Sequence, residues 1–518
     1  MNTSKKYLMD RHHSTKEIAR GTFIILIGTF AGLFLTFLTR LLIARNWNES
    51  EFGIFSLAIV ILNICAILST LGMQNGASRM IAYTKGRNDI KKINIIFILS
   101  LSITLLSSLL TSVIIFISSE TIAEHIFQNS DLIIPLKIFS TIIPFIALIN
   151  ILVSIYLGFG NAYSRLYFQF VIQNFIFILI IIIIIVYHAP FVYIFYAYAL
   201  SIVLTCFLFV IYTLKFSNLP VTFNFIPIAD IWMNSKELLS FSLPLLGVTL
   251  LQTITGWTDT LMLGYFRNTA MVGLYNAAIP IAQLISLPMN ALLLIYTPIT
   301  SKLYAQNLTS DIQKNYVILT KWIFLSTLPL FLTIFLFADV ILHCLFGEGY
   351  IGAAKSLQIL SLGFIIVNLL GPNGSTLIAL GDTKFLMLAG TIAASINIAM
   401  NFILVPVWGA DGAAISTASS ISIYCIIRHM RVHSYIKISS LNNKFLLTTT
   451  IYILFMYVLY NLIYIIADLP YLAVIVFFIL TYFFYFLFIF FSKSYDKEDL
   501  EMCLAVKKKI SNFFHSKN

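Results

Sequence analysis

Apolar runs of about 20 residues recur along the whole chain, and this recurrence restricts the possible fold more than any other feature. A run of that length crosses the hydrocarbon core of a bilayer as one α-helix, whose backbone satisfies its own hydrogen bonds. Only 10% of the 518 residues are charged and 59% are hydrophobic, whereas soluble domains carry about 25% charged residues. The sequence therefore predicts an all-α, multi-pass membrane protein.

The runs predict about fourteen transmembrane helices, with ends placed to within about four residues. The first run follows a polar N-terminal stretch, is too long for a signal-peptide core and lacks a small-residue cleavage site, so we interpret it as a span. The predicted spans are residues 21–44, 52–72, 93–117, 132–157, 167–187, 191–214, 240–265, 272–298, 316–342, 355–379, 384–405, 410–430, 445–466 and 471–492.

Lysine and arginine residues are distributed asymmetrically along this pattern. Most of the 32 fall at the termini or in the even-numbered loops, as expected if these segments face the cytoplasm. The opposite flanks carry acids such as Glu49, Glu120 and Asp411. The pattern predicts a cytoplasmic (inner) membrane protein with both termini cytoplasmic. The net charge of +11 then follows from the excess of Lys and Arg on the cytoplasmic side. Because this excess needs no nucleic acid to explain it, we expect membrane lipids but no nucleic acid as partners.

The chain also contains an internal repeat. A shift of 220 residues aligns residues 41–61 with 261–281 and pairs Gly53 with Gly273, and a second region aligns at a shift of 221. Each copy holds six spans, an even number, so both copies insert with the same orientation. This predicts two six-helix lobes related by a pseudo-twofold axis along the membrane normal, with the substrate path between them.

The repeat and the spans together divide the chain into segments. The prediction is a cytoplasmic N-terminus at 1–20, an N-lobe of spans 1–6 at 21–214, an interfacial linker at 215–239, a C-lobe of spans 7–12 at 240–434, spans 13–14 at 443–492 and a cytoplasmic amphipathic tail at 493–518.

Polar side chains form a stripe on one face of spans 1, 2, 7 and 8. In span 2 the stripe is spaced by seven residues, and the repeat places amides at the equivalent positions of span 8. Such side chains either form interhelical hydrogen bonds, worth about 0.6–2 kcal/mol each, or line a hydrated cavity, and we favour the cavity. The candidate substrate-binding residues are Arg40, Asn63, Gln252, Asp259, Asn276, Gln283 and Asn290.

Two of these candidates are charged and lie at similar depth in the outer half of their spans. Arg40 either faces the cavity or extends its long side chain to the outer headgroups. Asp259 has a short side chain, so we expect it to meet a partner or water inside the protein. It is the candidate site for a coupling ion, H⁺ or Na⁺; alternatively, it pairs with Arg40.

The sequence lacks the motifs of most membrane enzymes. It has no Walker A sequence, no dinucleotide fingerprint and no metal-ligand cluster, and its predicted outer loops are short. We therefore expect a transporter without a cofactor or a bound metal rather than an enzyme.

Three segments resemble a known family. These are "LLIARNWNESEFGIFSLAIVI", "DTLMLGYFRNTAMVGLYNAA" and "GDTKFLMLAGTIAASINIAMNFILVPVWGADGAAISTASS". They resemble the polysaccharide transporters of the MOP flippase superfamily, which include the Wzx-type flippases for O-antigen and capsule, over roughly residues 15–430. The resemblance implies a MATE-like fold, with two lobes around a central cavity that work by alternating access.

The resemblance also implies a function. The expected substrate is a polyprenyl-diphosphate-linked oligosaccharide, moved from the inner to the outer leaflet for surface polysaccharide biosynthesis, with glycan polymerase or assembly proteins as further partners. The alternative is a cation-coupled multidrug exporter of the MATE type, because organic cations favour carboxylates such as Asp259.

Overall fold

The chain is almost entirely helical. In a computed structural model, residues 28–492 are described apart from 29, 162, 216–227, 438–442 and 467–469, and these described residues contain no β-strand. The α-helices are α1 (30–46), α2 (Glu49–Ser69), α3 (Met73–Gly86), α4 (Ile90–Thr121), α5 (Ile133–Gly158), α6 (Tyr163–Arg165), α7 (Gln173–Val186), α8 (Tyr193–Lys215), α9 (Ile228–Phe266), α10 (Thr269–Gln283), α11 (Leu287–Ala305), α12 (Thr309–Leu336), α13 (Ala338–Phe346), α14 (Ala354–Leu369), α15 (Asn373–Ala379), α16 (Thr383–Trp408), α17 (Ala410–Ile436), α18 (Asn443–Ile466) and α19 (Pro470–Ser492).

Eleven helical segments of the described chain are long and apolar enough to cross a membrane, and two shorter apolar helices lie at Leu447–Leu462 and Val474–Tyr485. Together with α1 they match the predicted series of about fourteen spans. The prediction of an all-α, multi-pass membrane protein is confirmed. The predicted N-terminal segment 1–20 and the tail 493–518 lie outside the described residues.

Helix ends differ from the predicted spans in the second half of the chain. The span expected at 316–342 is α12, which begins at Thr309 and ends at Leu336 before a break at Phe337. Helix α9 begins at Ile228, so part of the segment expected as an interfacial linker is helical and continuous with span 7. Hydropathy reports the part of a helix that lies in lipid, whereas the hydrogen-bonded helix continues through polar residues at either end.

The first compact unit comprises Met1–Gly273 and therefore includes α9. At one end of this helix, Lys92 and Glu237 form an ion pair of 2.9 Å. Nearby, a Cβ atom at Gly72 or Gly76 would overlap Ser242, so only glycine allows α3 to approach α9 this closely. The predicted lobe boundaries stay a prediction.

The second compact unit comprises Leu274–Asn518. Its helices α14 and α17 touch at Gly363, where a Cβ would lie 2.7 Å from Cα of Ala418. Helix α19 packs on α12, where the Tyr482 hydroxyl donates to the Ser326 carbonyl. In the turn before α16, Asp382 accepts a hydrogen bond of 2.8 Å from Arg431, which lowers the pKa of that carboxyl.

Candidate functional site

Arg40 lies near the C-terminal end of α1 and is partly buried inside the first unit. Its guanidinium interacts with the side chain of Tyr198 on α8, and the Tyr198 hydroxyl is hydrogen-bonded to Gln173 on α7. The ring of Tyr198 packs against Phe139 and Phe177, with centroid separations of 5.3 and 5.1 Å. The two alternatives for Arg40, a position facing the cavity or extension to the headgroups, stay predictions.

Asp259 is buried in α9, with 6% of its surface exposed. The flanking residues Thr258 and Thr260 are buried as well, so this turn of the helix is polar and enclosed. The repeat pairs Asp259 with Thr39, which is also buried and whose hydroxyl donates to the Thr36 carbonyl at 2.7 Å. The two equivalent positions thus share an enclosed environment, but a carboxylate stands in one copy and a hydroxyl in the other.

The five candidate amides differ in exposure. Gln252, Gln283 and Asn290 are exposed, Asn63 is half-buried and Asn276 is buried with 3% exposure. The predicted stripe of span 8 is therefore not uniform. A 3₁₀ turn at Leu284–Ser286 separates α10 from α11, and its three residues per turn rotate the following helix relative to the preceding one. The predicted roles of these amides in binding stay predictions.

The hydroxyl groups in the polar stripes donate hydrogen bonds to backbone carbonyls of their own helices. Thr36 donates to the carbonyl of Gly32, Ser56 to that of Phe52 and Thr255 to that of Leu251, at 2.7–2.9 Å. A hydroxyl bonded in this way tolerates an apolar surrounding, so it does not indicate a hydrated path. A side-chain amide has two donors and a carbonyl acceptor, so an exposed amide in a span is better evidence for a hydrated path than a hydroxyl is.

Two further features of the second unit were not predicted from the sequence. Lys321 lies inside α12 and is only 4% exposed, a burial that is rare for lysine in a span; the signal was the single cation in "VILTKWIFLS". Close by in sequence, the Tyr316 hydroxyl donates to the Leu370 carbonyl at 2.6 Å and lies 3.1 Å from Nδ1 of His429. This second cluster joins residues that lie far apart along the chain, namely Tyr316, Leu370 and His429, so no spacing pattern could predict it.

An open groove of about 610 Å³ lies between α11 and α12 in the second unit. Its walls are mainly apolar and its polar residues come from the first two turns of α12. It is lined by Leu292, Ile295, Tyr296, Ile299, Leu303, Asp311, Lys314, Asn315, Ile318 and Leu319. This combination suits an amphipathic molecule with a hydrocarbon chain and a polar head.

Two family models match the chain. A model described as polysaccharide biosynthesis protein matches residues 18–304, and the MatE model matches residues 244–403. Among named relatives, stage V sporulation protein B of Bacillus subtilis is 21% identical over 81% of this chain and 84% of its own length. The probable low-salt glycan biosynthesis flippase Agl15 of Haloferax volcanii is 26% identical over 35% of this chain and 39% of its own length.

Two solved structures share the fold. The lipid II flippase MurJ in an inward closed conformation superposes with a TM-score of 0.68 at 16% identity, over 89% of this chain and 98% of that one. An inward-facing multidrug resistance MATE transporter of the MOP superfamily superposes with a TM-score of 0.64 at 18% identity, over 78% of this chain and 94% of that one. The predicted MATE-like fold is confirmed.

Proposed function

Because the chain belongs to the polysaccharide biosynthesis protein family, we propose that it is a flippase for a polyprenyl-diphosphate-linked oligosaccharide. It would move this lipid from the inner to the outer leaflet of the cytoplasmic membrane by alternating access, to supply the synthesis of O-antigen or another surface polysaccharide. The relative from Haloferax volcanii is itself named as a glycan biosynthesis flippase. The family match and this relative both support a transporter rather than an enzyme.

The observation that carries the proposal is the exposure of two amides in apolar spans of the second unit. Gln283 and Asn290 lie on α10 and α11, in a segment that otherwise has the composition of a transmembrane helix. Lipid chains offer no hydrogen bonds, and an unpaired polar group in hydrocarbon costs several kcal/mol. These side chains therefore favour a water-filled path, and an oligosaccharide crossing the membrane needs such a path to keep its hydroxyls hydrogen-bonded.

Arg40 is the residue that we assign to the diphosphate. A guanidinium binds phosphate oxygens through two parallel hydrogen bonds and stays charged in a partly buried site. A lipid with two negative charges that leaves an inside-negative cell gains about 2 × 2.3 kcal/mol per 100 mV of membrane potential. Asp259 would hold a coupling H⁺ or Na⁺, or would balance the charge of Arg40. The groove between α11 and α12 has the chemistry to hold part of the polyprenyl chain.

The orientation proposed for this cycle has both termini in the cytoplasm. It is supported by the bias of Lys and Arg toward the termini and even-numbered loops. Membrane lipids surround the spans, and glycan polymerase or assembly proteins would receive the substrate at the outer leaflet.

The test is transbilayer movement of a labelled polyprenyl-diphosphate oligosaccharide in proteoliposomes. Arg40→Ala is compared with Arg45→Ala, which removes an exposed arginine from the same helix. A hydrogen bond to a charged group contributes about 1.5–3 kcal/mol, so we expect Arg40→Ala to slow movement at least tenfold and Arg45→Ala to leave it near wild type. Equal rates in both variants would remove Arg40 from the path.

A multidrug exporter of the MATE type is the second candidate, favoured by the MatE match and the buried Asp259. Efflux of organic cations by proteoliposomes that move no glycan lipid would establish it instead. In that case Asp259→Asn, rather than Arg40→Ala, would abolish transport.

A further inference from the structure

The groove between α11 and α12 carries two charged side chains that the proposed transport does not use. Its volume of 610 Å³ lies within the range of about 300–1,000 Å³ that is typical of ligand sites. Asp311 and Lys314 line it from the first two turns of α12. They are three residues apart, so they share one face of the helix, with Cβ atoms about 5–6 Å apart. The groove therefore presents an anion and a cation side by side.

Both charged groups are available to a ligand. Asp311 is half-buried and Lys314 is exposed. Within the part of the chain that the structure describes, neither side chain forms a hydrogen bond or an ion pair, although their spacing would allow them to pair. A ligand with one positive and one negative group could thus bind both without breaking an existing contact.

The rest of the groove is mainly apolar and has the depth of one leaflet. Its α11 wall runs from Leu292 to Leu303 and includes the exposed Ile295 and Ile299. At 1.5 Å per residue this wall rises about 16 Å, which is about half of a hydrocarbon core of roughly 30 Å. Leu303 marks the charged end, because its carbonyl accepts from the N–H of Leu308 at 3.0 Å, directly before α12.

The proposed orientation places this charged end at the cytoplasmic surface. Helix α11 ends and α12 begins in the loop between the eighth and ninth spans, which is one of the even-numbered loops assigned to the cytoplasm. The apolar walls then extend from that surface toward the middle of the membrane. The groove therefore faces the depth occupied by lipids of the inner leaflet.

We propose that the groove binds one phosphatidylethanolamine molecule of the inner leaflet, with an acyl chain along α11, its phosphate on Lys314 and its ammonium on Asp311. A primary ammonium donates hydrogen bonds to a carboxylate, and a lysine donates them to a phosphate. An anionic phospholipid offers Asp311 no cation, and a polyprenyl diphosphate would place two negative charges beside it.

The inference rests on the proposed orientation and goes beyond the proposed function. The polyprenyl chain assigned to this groove would use the same apolar walls as the acyl chain. The two lipids would therefore exclude each other, and phosphatidylethanolamine would occupy the groove between substrates.

Lipid binding to the purified full-length protein tests the head-group preference. Phosphatidylethanolamine, phosphatidylcholine and phosphatidylglycerol with identical acyl chains compete for delipidated protein in detergent, and native mass spectrometry counts the bound lipid. The quaternary ammonium of phosphatidylcholine donates no hydrogen bond, and phosphatidylglycerol has no cation. We expect phosphatidylethanolamine to bind about fivefold more tightly than either, the ratio for one charged contact at a partly exposed site. Equal affinities for the three lipids would overturn the proposal.

Two variants assign the preference to the groove. Asp311→Asn and Lys314→Gln each remove one charge with little change in shape, and Lys384→Gln is the control because it removes an exposed lysine near the start of α16, outside the groove. We expect Asp311→Asn to abolish the preference for phosphatidylethanolamine over phosphatidylcholine, Lys314→Gln to weaken binding of all three lipids and the control to bind as wild type. An unchanged preference in Asp311→Asn would overturn the proposal.

Addition of a polyprenyl diphosphate separates this site from the transport function. Release of bound phosphatidylethanolamine would support a groove shared by the two lipids. Retention of phosphatidylethanolamine by protein that moves the glycan lipid would support its site and remove the polyprenyl chain from the groove. The same head-group preference in protein that moves no glycan lipid would support the site and refute the proposed substrate.

Discussion

Gly53 in α2 lies against the backbone at the start of α10, so replacing it with alanine should push the two helices apart by an amount that the structure allows us to estimate. Carbon atoms pack at about 3.5–4.0 Å, whereas the new Cβ would lie 2.6 Å from the carbonyl carbon of Thr269. The helices must therefore move apart by about 1 Å. Overpacking of this kind costs about 1–3 kcal/mol, so Gly53→Ala should destabilise the folded protein by about that amount.

The matched control is Gly256→Ala. No atom lies within 4 Å of a Cβ at Gly256, so this variant shares the gain in helix propensity of up to about 1 kcal/mol without the overlap. Thermal unfolding in detergent compares the stability of the two variants. We expect Gly53→Ala to unfold at a lower temperature than Gly256→Ala, because only Gly53→Ala carries the cost of overpacking. Equal unfolding temperatures in the two variants would refute the reasoning.

The contact is reciprocal, which adds a stricter requirement. A Cβ at Gly273 would meet the carbonyl of Glu49 in the way that a Cβ at Gly53 meets that of Thr269, so Gly273→Ala and Gly53→Ala should lower the stability by similar amounts. Once one methyl group has separated the helices, the second meets less resistance, so the loss of stability in the double variant should be smaller than the sum. A fully additive loss would show that the two glycines act at independent sites.

Two further predictions concern carboxylates. If Asp259 binds the coupling ion, Asp259→Asn should abolish the dependence of transport on pH or Na⁺, and a variant with unchanged transport and pH dependence would exclude that role. The pKa of Asp382 is lowered because Arg431 donates a hydrogen bond to its carboxylate. The pair therefore stabilises the fold above about pH 4, and this stabilisation is lost as the pH falls through the lowered pKa. The unfolding temperature of Asp382→Asn should lie below that of wild type at pH 7, and the two should converge in acid. A constant difference across the pH range would contradict this.

The sequence predicted an all-α protein with a long series of membrane spans because lipid crossing requires long apolar runs, and such runs are visible without a structure. It predicted their ends less well. The first residues of α12, at 309–315, are polar except for Ile312 and fell outside the predicted span, yet they are helical. At the other end the apolar pattern continues across Phe337, where α12 ends and α13 begins at Ala338. Apolar composition does not encode such a break.

The candidate site was likewise only partly predictable from the sequence. Heptad spacing placed Asn276, Gln283 and Asn290 on one face, but Asn276 is buried whereas Gln283 and Asn290 are exposed. The turn at Leu284–Ser286 changes the direction of Asn290 relative to α10, and nothing in the spacing predicts that turn. Asn276 and Gln283 lie in the same helix, so their difference depends on the neighbouring helices, which spacing does not encode. The sequence did reveal the pairing of Gly53 with Gly273, although only the structure shows that the two paired residues touch each other.

The self-complementary contact also bears on the ancestry of the chain. Before a duplication and fusion, two identical copies that met in this way would have formed a homodimer, and one glycine codon would have shaped both sides of its interface. After fusion each side can vary alone. Asn48 and Asn268 remain identical, as do Gly53 and Gly273, whereas Glu49 and Thr269 have diverged in side chain while each still contributes its backbone carbonyl. The two glycines are thus retained at the positions where the close backbone contact leaves no room for a side chain.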